Sequence, residues 1–194
     1  LARYLAGIHA EKHPDEARYK RCIRDLLGHG EGIMGMIDAY PADFNLAPPA
    51  RLEQIEQVCI RWRWRINHHH HRLSQSHGDF HPWNVLFEDQ SNKFTVLDRS
   101  RGAWGEPADD LSAMTINYIL FSLRQYGRLQ GSWERLFRTF WEQYLEQSGD
   151  QQVREVIAPF YAWRTLVVAH PVWYPNLTES VRKKLFRFID SVLQ

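Results

Sequence analysis

A polar segment in the middle of the chain carries residues of the types that phosphoryl transfer requires. Transfer from a nucleotide needs a group that orients the acceptor hydroxyl, together with hard oxygen ligands for Mg²⁺. Asp79 and Asn84 lie five residues apart in the segment His77-Gly-Asp-Phe-His-Pro-Trp-Asn84. On one tight loop, this spacing lets the carboxylate face the acceptor while the carboxamide faces the metal. A second carboxylate, Asp98, follows nineteen residues after Asp79.

A β-hairpin is the element that would bring these residues into one site. Two β-like runs, Val85-Leu-Phe87 and Phe94-Thr-Val-Leu97, flank the polar segment Glu88-Asp-Gln-Ser-Asn-Lys93. An antiparallel pair returns the chain to its starting point. The hairpin therefore predicts that Asp98 lies beside the 77–84 loop.

Helical patterns dominate the rest of the chain, which predicts a mainly α (α+β) fold with a small β-hairpin. Apolar residues recur at helical spacing from residue 1, and Pro49 suits the first turn of a long helix. From Pro107 onward the pattern is helical again. Ser132 and Thr178 are predicted to cap two of these helices, and Pro159 is predicted to kink or divide another.

Composition and charge limit the classes of protein to which the chain can belong. The chain has 194 residues, of which 44% are hydrophobic and 24% charged, with a formal net charge of +1. Nothing in this balance points to a nucleic-acid or membrane partner, and no apolar run reaches transmembrane length. Cys22 and Cys59 occupy apolar positions of helical patterns, which predicts buried free thiols in a reducing compartment. We therefore expect a cytoplasmic protein.

The motifs around the polar segment resemble those of a known enzyme family. His-Gly-Asp79-x-His-x-x-Asn84 is similar to the catalytic loop of the aminoglycoside phosphotransferase and choline kinase superfamily, and to the His-Arg-Asp loop of protein kinases. Leu97-Asp98, followed by Gly105-Glu-Pro-Ala-Asp-Asp110-Leu, resembles the family's metal-binding Asp and its Gly-Asp-Pro-x-x-Asp-Leu continuation. The opening Leu-Ala-x-x-Leu-Ala-x-Ile-His-Ala is similar to the helix that follows the hinge between the lobes. The resemblance covers residues 1 to about 112.

The resemblance implies a role for four residues. Asp79 is the catalytic base or orienter, and Asn84 and Asp98 hold Mg²⁺. Asp110 braces the catalytic loop from the start of the next helix. The implied reaction is transfer of the γ-phosphate of ATP or GTP to a hydroxyl group of a small molecule.

Histidines in and near the loop have structural or open interpretations. His77 is expected to tie the loop to the backbone. His81 occupies the place where protein kinases carry a loop Lys, and contact with substrate or phosphate is left open. The run His68-His-His-His71 could suggest a metal site, but consecutive side chains point in different directions, which favours a solvated helix end.

Two arginines beside the site depart from the family pattern. Arg99 and Arg101 follow Asp98, where small-molecule kinases often carry acidic residues. They could bind anions, but we favour ion pairs with Glu106 and Asp109.

The whole chain, residues 1–194, is expected to form the C-terminal, catalytic and substrate-binding lobe of a kinase-like fold. The N-terminal nucleotide-binding lobe is expected to lie outside these residues, because Lys12 and Lys20 lie on predicted helices and neither suits the phosphate-gripping position. The segment Gly30-Glu-Gly-Ile-Met-Gly35 matches Gly-x-Gly-x-x-Gly, but it follows a helix instead of a strand, which favours a helix end and turn. The chain alone is therefore expected to be inactive.

The composition of the C-terminal part bears on the acceptor. Residues 113–194 contain ten Lys and Arg, seven Asp and Glu, and fifteen aromatic residues. A polycationic aminoglycoside needs several carboxylates for charge compensation. We therefore predict a neutral, mixed or partly aromatic acceptor that bears a hydroxyl group.

Two other functions are compatible with part of these observations. The lobe could be a non-catalytic module that binds a ligand or a partner, although the intact carboxylates and carboxamide argue against it. Alternatively, His77-x-Asp79-x-His81 with Asp98 could form the metal cluster of a metallophosphoesterase. Such enzymes need further ligands downstream, and the one later histidine, His170, lies in an apolar segment.

Overall fold

A computed structural model describes residues 1–89, 91, 93–99 and 103–194, and these residues form a mainly helical fold, as predicted. They contain two small antiparallel sheets, of which one is the predicted hairpin. The helices of this part of the chain are α1 (Ala2–His9), α2 (Glu16–Gly28), α3 (Ile33–Asp38), α4 (Pro49–Ile66), α5 (Pro107–Tyr126), α6 (Gly131–Ser148), α7 (Val153–Val156), α8 (Ala158–Ala169) and α9 (Glu179–Leu193). The strands are β1 (Ser74–Gln75), β2 (Val85–Phe87), β3 (Phe94–Val96) and β4 (Trp104–Gly105).

Helix α5 is the central element of the core. Every residue from Leu111 to Leu120 is buried, because α5 packs against α6, α8 and α9. Apart from Asn117, the side chains of this stretch are apolar, aromatic or small hydroxyl-bearing residues, as expected of a helix without a solvent-exposed side. Helix α8 is buried in the same way from Ala158 to Leu166. A charged side chain within either buried stretch must therefore be compensated by a partner.

The two sheets frame the 77–84 loop. Strands β2 and β3 pair Val85 with Val96 and Phe87 with Phe94, which confirms the predicted hairpin. Strands β1 and β4 pair with each other, and β4 ends shortly before α5 begins. The loop therefore leaves one sheet and enters the other, with the start of α5 beside it.

Most of the predicted helix boundaries are confirmed. Pro49 is the first residue of α4. Pro159 lies in the first turn of α8 and separates that helix from α7. Thr178 caps α9, because its Oγ1 accepts a hydrogen bond from the Val181 N–H at 3.4 Å.

The predicted Ser132 cap is wrong. Helix α6 begins at Gly131, so Ser132 already lies within its first turn. The preceding turn is held from the neighbouring helix instead, because Ser122 Oγ on α5 accepts a hydrogen bond from the Gln130 N–H at 3.0 Å. A tertiary contact thus replaces the local cap.

Both cysteines are free, as predicted. Cys59 is buried, as predicted, but the prediction of burial is wrong for Cys22, which is half-buried. Burial raises the pKa of each thiol to about 12, so neither ionises near neutral pH.

The histidine run and the glycine-rich segment have structural roles. The side chains of His68–His71 follow α4 and are exposed or half-buried, and no three His, Cys, Asp or Glu residues in the described ranges form a group that could hold a metal ion. Gly30 and Gly32 lie in the turn after α2, as predicted, whereas Gly35 lies within α3. A Cβ at Gly35 would lie 2.0 Å from the Gly30 carbonyl oxygen, so close backbone packing accounts for this glycine. Among the described helices, none is long and apolar enough to cross a membrane.

Candidate active site

A buried carboxylate fixes the backbone of the 77–84 loop. Asp110 lies in the first turn of α5, and its two oxygens accept hydrogen bonds from the His77 and Gly78 N–H groups, each at 2.7 Å. Gly78 has φ +86°, a left-handed conformation that glycine adopts without steric cost. The sharp turn and the two bonds hold the loop against the helix. This is the geometry that the bracing role expected of Asp110 requires.

The environment of Asp110 keeps it ionised. Burial alone would raise its pKa, but hydrogen bonds from His9 and from the loop N–H groups outweigh burial and lower the pKa below its usual range. His9 Nε2 donates to Asp110 at 3.1 Å, and the Tyr144 hydroxyl donates to His9 Nδ1 at 3.0 Å. This chain of bonds connects α1, α5 and α6. The sequence analysis gave His9 no role, although a polar residue on a buried helix face was a signal for one.

His77 ties the loop to the hairpin. Its Nε2 donates to the Leu97 carbonyl oxygen at 2.9 Å, and its Nδ1 accepts a hydrogen bond from the Asp79 N–H at 3.3 Å. Both ring nitrogens are therefore engaged by the backbone. The contacts agree with the expectation that His77 connects the loop to the backbone.

Asn84 pairs across the hairpin with Leu97, the residue before Asp98. Asn84 Nδ2 donates to the Asp79 carbonyl oxygen at 3.0 Å, and the Leu97 N–H donates to the Asn84 carbonyl oxygen at 2.8 Å. In the described part of the chain, Asn84 Oδ1 accepts no hydrogen bond. Asp98 follows directly, is exposed, and has φ +54°, a left-handed conformation that is uncommon for residues other than glycine.

Asp79 is held by an arginine that the sequence analysis did not identify. Arg164 Nη1, on α8, donates to Asp79 Oδ1 at 2.6 Å, and Arg164 Nη2 donates to the Gly78 carbonyl oxygen at 3.0 Å. The same guanidinium contacts Asp109 Oδ1 through Nε at 3.1 Å and Nη2 at 2.5 Å. Burial opposes the charge of Arg164, but Asp109 and Asp79 more than compensate and hold its pKa above the usual range.

Two concave regions meet at Asp79. One, the α2 cleft, has a volume of about 700 Å³ and is lined in part by Arg18, Asp98, Trp104 and Asp109. The other, which we call the α5–α8 cavity, has a volume of about 420 Å³. Its lining includes Asp79, His81, Trp83, Ile116, Asn117 and Trp163. Asp79 lines both, so the carboxylate lies where two bound molecules could meet.

His81 lies beside Asp79 at the α5–α8 cavity. Its Nε2 is 3.5 Å from Asp79 Oδ2 and 3.4 Å from Asn84 Nδ2, which are long contacts for hydrogen bonds. Its Nδ1 is buried and has no hydrogen-bond partner among the described residues. Contact between His81 and a substrate or a phosphate stays a prediction.

The interpretation of the arginines after Asp98 needs a correction. Arg99 Nε donates to the Ser76 carbonyl oxygen at 3.1 Å. Glu106 is instead bound by Arg72, through Nε at 3.0 Å and Nη2 at 2.7 Å, and by the Tyr19 hydroxyl at 2.7 Å. Glu106, one of the two carboxylates that we expected to pair with Arg99 and Arg101, is thus bound by a buried arginine that precedes β1. Arg101 lies outside the described residues.

The described residues form a helical body, a His-Gly-Asp loop that Asp110 braces, and a hairpin after which Asp98 lines the α2 cleft with Asp79. A family model described as the phosphotransferase enzyme family (APH) matches residues 1–160, and the chain therefore belongs to this family. The match agrees with the resemblance to the aminoglycoside phosphotransferase and choline kinase superfamily, and it extends well past residue 112, where we expected that resemblance to end. No curated protein and no solved structure matches the chain.

Proposed function

We propose that the protein is a small-molecule kinase that transfers the γ-phosphate of ATP or GTP to a hydroxyl group. The observation that carries this proposal is the position of Asp79, on a braced loop at the junction of the α2 cleft and the α5–α8 cavity. Phosphoryl transfer needs little covalent chemistry from the protein and depends mainly on positioning and charge stabilisation. A fixed carboxylate between two binding regions meets the first of these needs.

Asp79 is proposed to orient the acceptor hydroxyl and to receive its proton. Arg164 holds one of its oxygens at 2.6 Å, and the Asn84 carboxamide holds its backbone carbonyl at 3.0 Å. Both the side chain and the backbone of Asp79 are therefore fixed. A carboxylate with a fixed orientation can orient the acceptor hydroxyl. Phosphoryl transfer depends more on this positioning than on strong proton abstraction.

Asn84 and Asp98 are proposed to hold Mg²⁺. The donor set fits this ion, because one carboxamide oxygen and one carboxylate are hard ligands, and Mg²⁺ usually takes one or two protein ligands with phosphates and water completing the shell. The hydrogen bond from Asn84 Nδ2 to the Asp79 carbonyl oxygen directs Oδ1 away from the loop backbone. When bound, the ion would neutralise charge on the nucleotide phosphates. The nucleotide-binding lobe is proposed to lie outside these 194 residues, and the chain alone is proposed to be inactive.

The α5–α8 cavity is proposed to bind the acceptor. Its lining is largely apolar and aromatic, with Ile116, Trp83 and Trp163 among the contributors. Its charged lining residues in the described part of the chain are Glu31, Asp79 and Arg164, and the last two pair with each other. This balance supports a neutral or partly aromatic alcohol over a polycation, whose ammonium groups would each need compensation.

A metallophosphoesterase is less compatible with the geometry. The proposed cluster would need His77 as a metal ligand, but the Leu97 carbonyl oxygen and the Asp79 N–H occupy its two ring nitrogens. A metal ligand must offer a lone pair, so His77 would first have to break a loop contact.

A substrate panel tests the proposal. The full-length protein that contains this chain is incubated with Mg²⁺, ATP or GTP, and sugars, amino alcohols, nucleosides, aromatic alcohols or kanamycin. We expect nucleotide-dependent phosphorylation of neutral or partly aromatic alcohols. If kanamycin alone is phosphorylated, the acceptor class is wrong while the kinase assignment stands. If no alcohol is phosphorylated with either nucleotide, the proposed function is wrong.

A further inference from the structure

Asn117 presents an unpaired carboxamide oxygen in the α5–α8 cavity. It lies in the middle of α5, is only 3% exposed, and lines the cavity. Its Nδ2 donates to the Ala113 carbonyl oxygen at 2.8 Å. A flipped amide would set two oxygens against each other at that distance, so the hydrogen bond fixes which atom is the oxygen. Asn117 Oδ1 is thereby left buried without a partner among the described residues.

Unpaired buried polar atoms concentrate at this cavity. Three buried side-chain atoms in the described part of the chain lack a partner: His81 Nδ1, Asn117 Oδ1 and Thr165 Oγ1. His81 and Asn117 both line the α5–α8 cavity, whereas Thr165 does not. Because buried polar atoms are nearly always hydrogen-bonded to protein, ligand or water, a molecule bound in this cavity can supply the two missing partners.

We propose that Asn117 determines acceptor specificity by accepting a hydrogen bond from a second O–H or N–H group of the acceptor molecule. The acceptor would be a compact molecule with an apolar or aromatic body and at least two donor groups. One is the hydroxyl that reacts at Asp79, and the other binds Asn117 Oδ1. This inference rests on the proposed transfer to a hydroxyl group. It adds that the acceptor carries a second hydrogen-bond donor, which phosphoryl transfer alone does not require.

The apolar surroundings make this single contact selective. Ala113 and Ile116 on α5 and Val167 and Val168 on α8 line the cavity beside Asn117 and offer no side-chain hydrogen-bond groups. A ligand that lacks a second donor leaves the carboxamide oxygen unpaired, as it is in the free protein. A ligand with a correctly placed donor gains one hydrogen bond, which corresponds to about two- to tenfold tighter binding.

The experiment compares three alcohols with their mono-methyl ethers: tyrosol, salicyl alcohol and cyclohexanedimethanol. Each ether keeps one free hydroxyl but loses the second donor. Binding to the full-length protein is measured by calorimetry without nucleotide. We expect at least one alcohol to bind the wild type about two- to tenfold more tightly than its ether. In Asn117→Leu this ratio should fall to about one.

Two further variants separate specificity from folding. Thr165→Val removes the buried unpaired hydroxyl that lies away from the cavity, and it should keep the wild-type ratio. Both Asn117→Leu and Thr165→Val delete an unpaired buried polar atom, so both variants should remain folded. Asn117→Leu also removes the hydrogen bond from Nδ2 to the Ala113 carbonyl oxygen, so its thermal midpoint should fall more than that of Thr165→Val. If leucine does not fit the site and the protein fails to fold, Asn117→Ala provides the same comparison with a smaller side chain.

The outcomes distinguish this inference from the proposed function. A wild-type ratio that persists in the Asn117 variants overturns the inference, as does the absence of any alcohol-over-ether preference in the wild type. Because binding is measured without nucleotide, a lost ratio supports the inference even if phosphate transfer is never observed. Conversely, phosphate transfer with an unchanged ratio in Asn117→Leu would leave the kinase assignment intact.

Discussion

Replacement of Arg164 by methionine should destabilise the protein strongly. The guanidinium donates hydrogen bonds to Asp79, Asp109 and the Gly78 carbonyl oxygen at 2.5 to 3.1 Å, and the Arg164 side chain is 8% exposed. Removing one partner of a buried ion pair costs about 3–5 kcal/mol. The carboxylates of Asp79 and Asp109 keep 18% and 19% of their side-chain exposure and therefore some contact with water. We therefore expect the lower end, about 3 kcal/mol.

The assay is urea unfolding at pH 7, followed by tryptophan fluorescence, with a thermal melt in parallel. For a chain of this length, a loss of about 3 kcal/mol corresponds to a decrease of about 6–12 °C in the melting temperature. Arg138→Met is the matched control, because Arg138 is exposed on α6 and pairs with Glu134 at 2.8 Å one helical turn away. Such surface pairs are worth about 0.3–0.5 kcal/mol.

Two additional variants test the charge argument. Arg164→Lys keeps the positive charge but lacks the planar guanidinium with its several N–H donors. It should therefore be more stable than Arg164→Met and less stable than the wild type. Asp109→Asn combined with Arg164→Met should be less destabilised than the sum of the single changes, because the two residues contact each other and the double variant removes one of the two carboxylates that Arg164 binds. If Arg164→Met costs no more than Arg138→Met, the guanidinium does not hold the loop and this reasoning is wrong.

Two other predictions concern the brace and the metal. The pKa of Asp110 is lowered in the folded protein by His9 and by two backbone N–H groups. The Asp110 carboxylate therefore stabilises the folded state fully above its unfolded pKa of about 3.9, and this stabilisation is lost as the pH falls through its lower folded-state pKa. In urea unfolding, the loss of unfolding free energy in Asp110→Asn relative to the wild type should therefore be largest near neutral pH and should decrease below about pH 4. A loss that does not change with pH would contradict the role of the Asp110 charge. Asn84→Ala should raise the Mg²⁺ concentration that half-maximal turnover requires more than it lowers turnover at saturating Mg²⁺, and an unchanged Mg²⁺ requirement would contradict its proposed role as a ligand.

The local parts of the site could be predicted from the sequence. The hairpin followed from two short β-like runs around a polar segment, and its register pairs Val85 with Val96. Asp98, which follows the second strand, lines the α2 cleft together with Asp79. The contact between Asp110 and the loop could be anticipated from the family resemblance, because the motif has a fixed order and spacing along the chain. Signals of this kind lie within about thirty residues of one another.

The long-range parts of the site could not be predicted in the same way. Arg164 contacts Asp79 from 85 positions along the chain, and this contact depends on how α8 packs against α5. The available signal was a lone charged residue in an otherwise apolar helix, which indicates a buried partner but does not say which one. Arg72 similarly binds Glu106, which we expected to pair with Arg99 or Arg101, and the packing of the folded chain determines which arginine reaches this carboxylate.

The most direct test of the central claim is phosphate transfer by the Asp79→Asn variant of the full-length protein. Asparagine preserves the shape of the side chain but cannot accept the proton of the acceptor hydroxyl. The acceptor is the best substrate found in the panel, and turnover is measured with saturating Mg²⁺ and nucleotide. A far-ultraviolet spectrum and a thermal melt show whether the variant remains folded. We predict a folded protein whose turnover is lower by several orders of magnitude. Near-normal nucleotide-dependent transfer by Asp79→Asn would contradict the account.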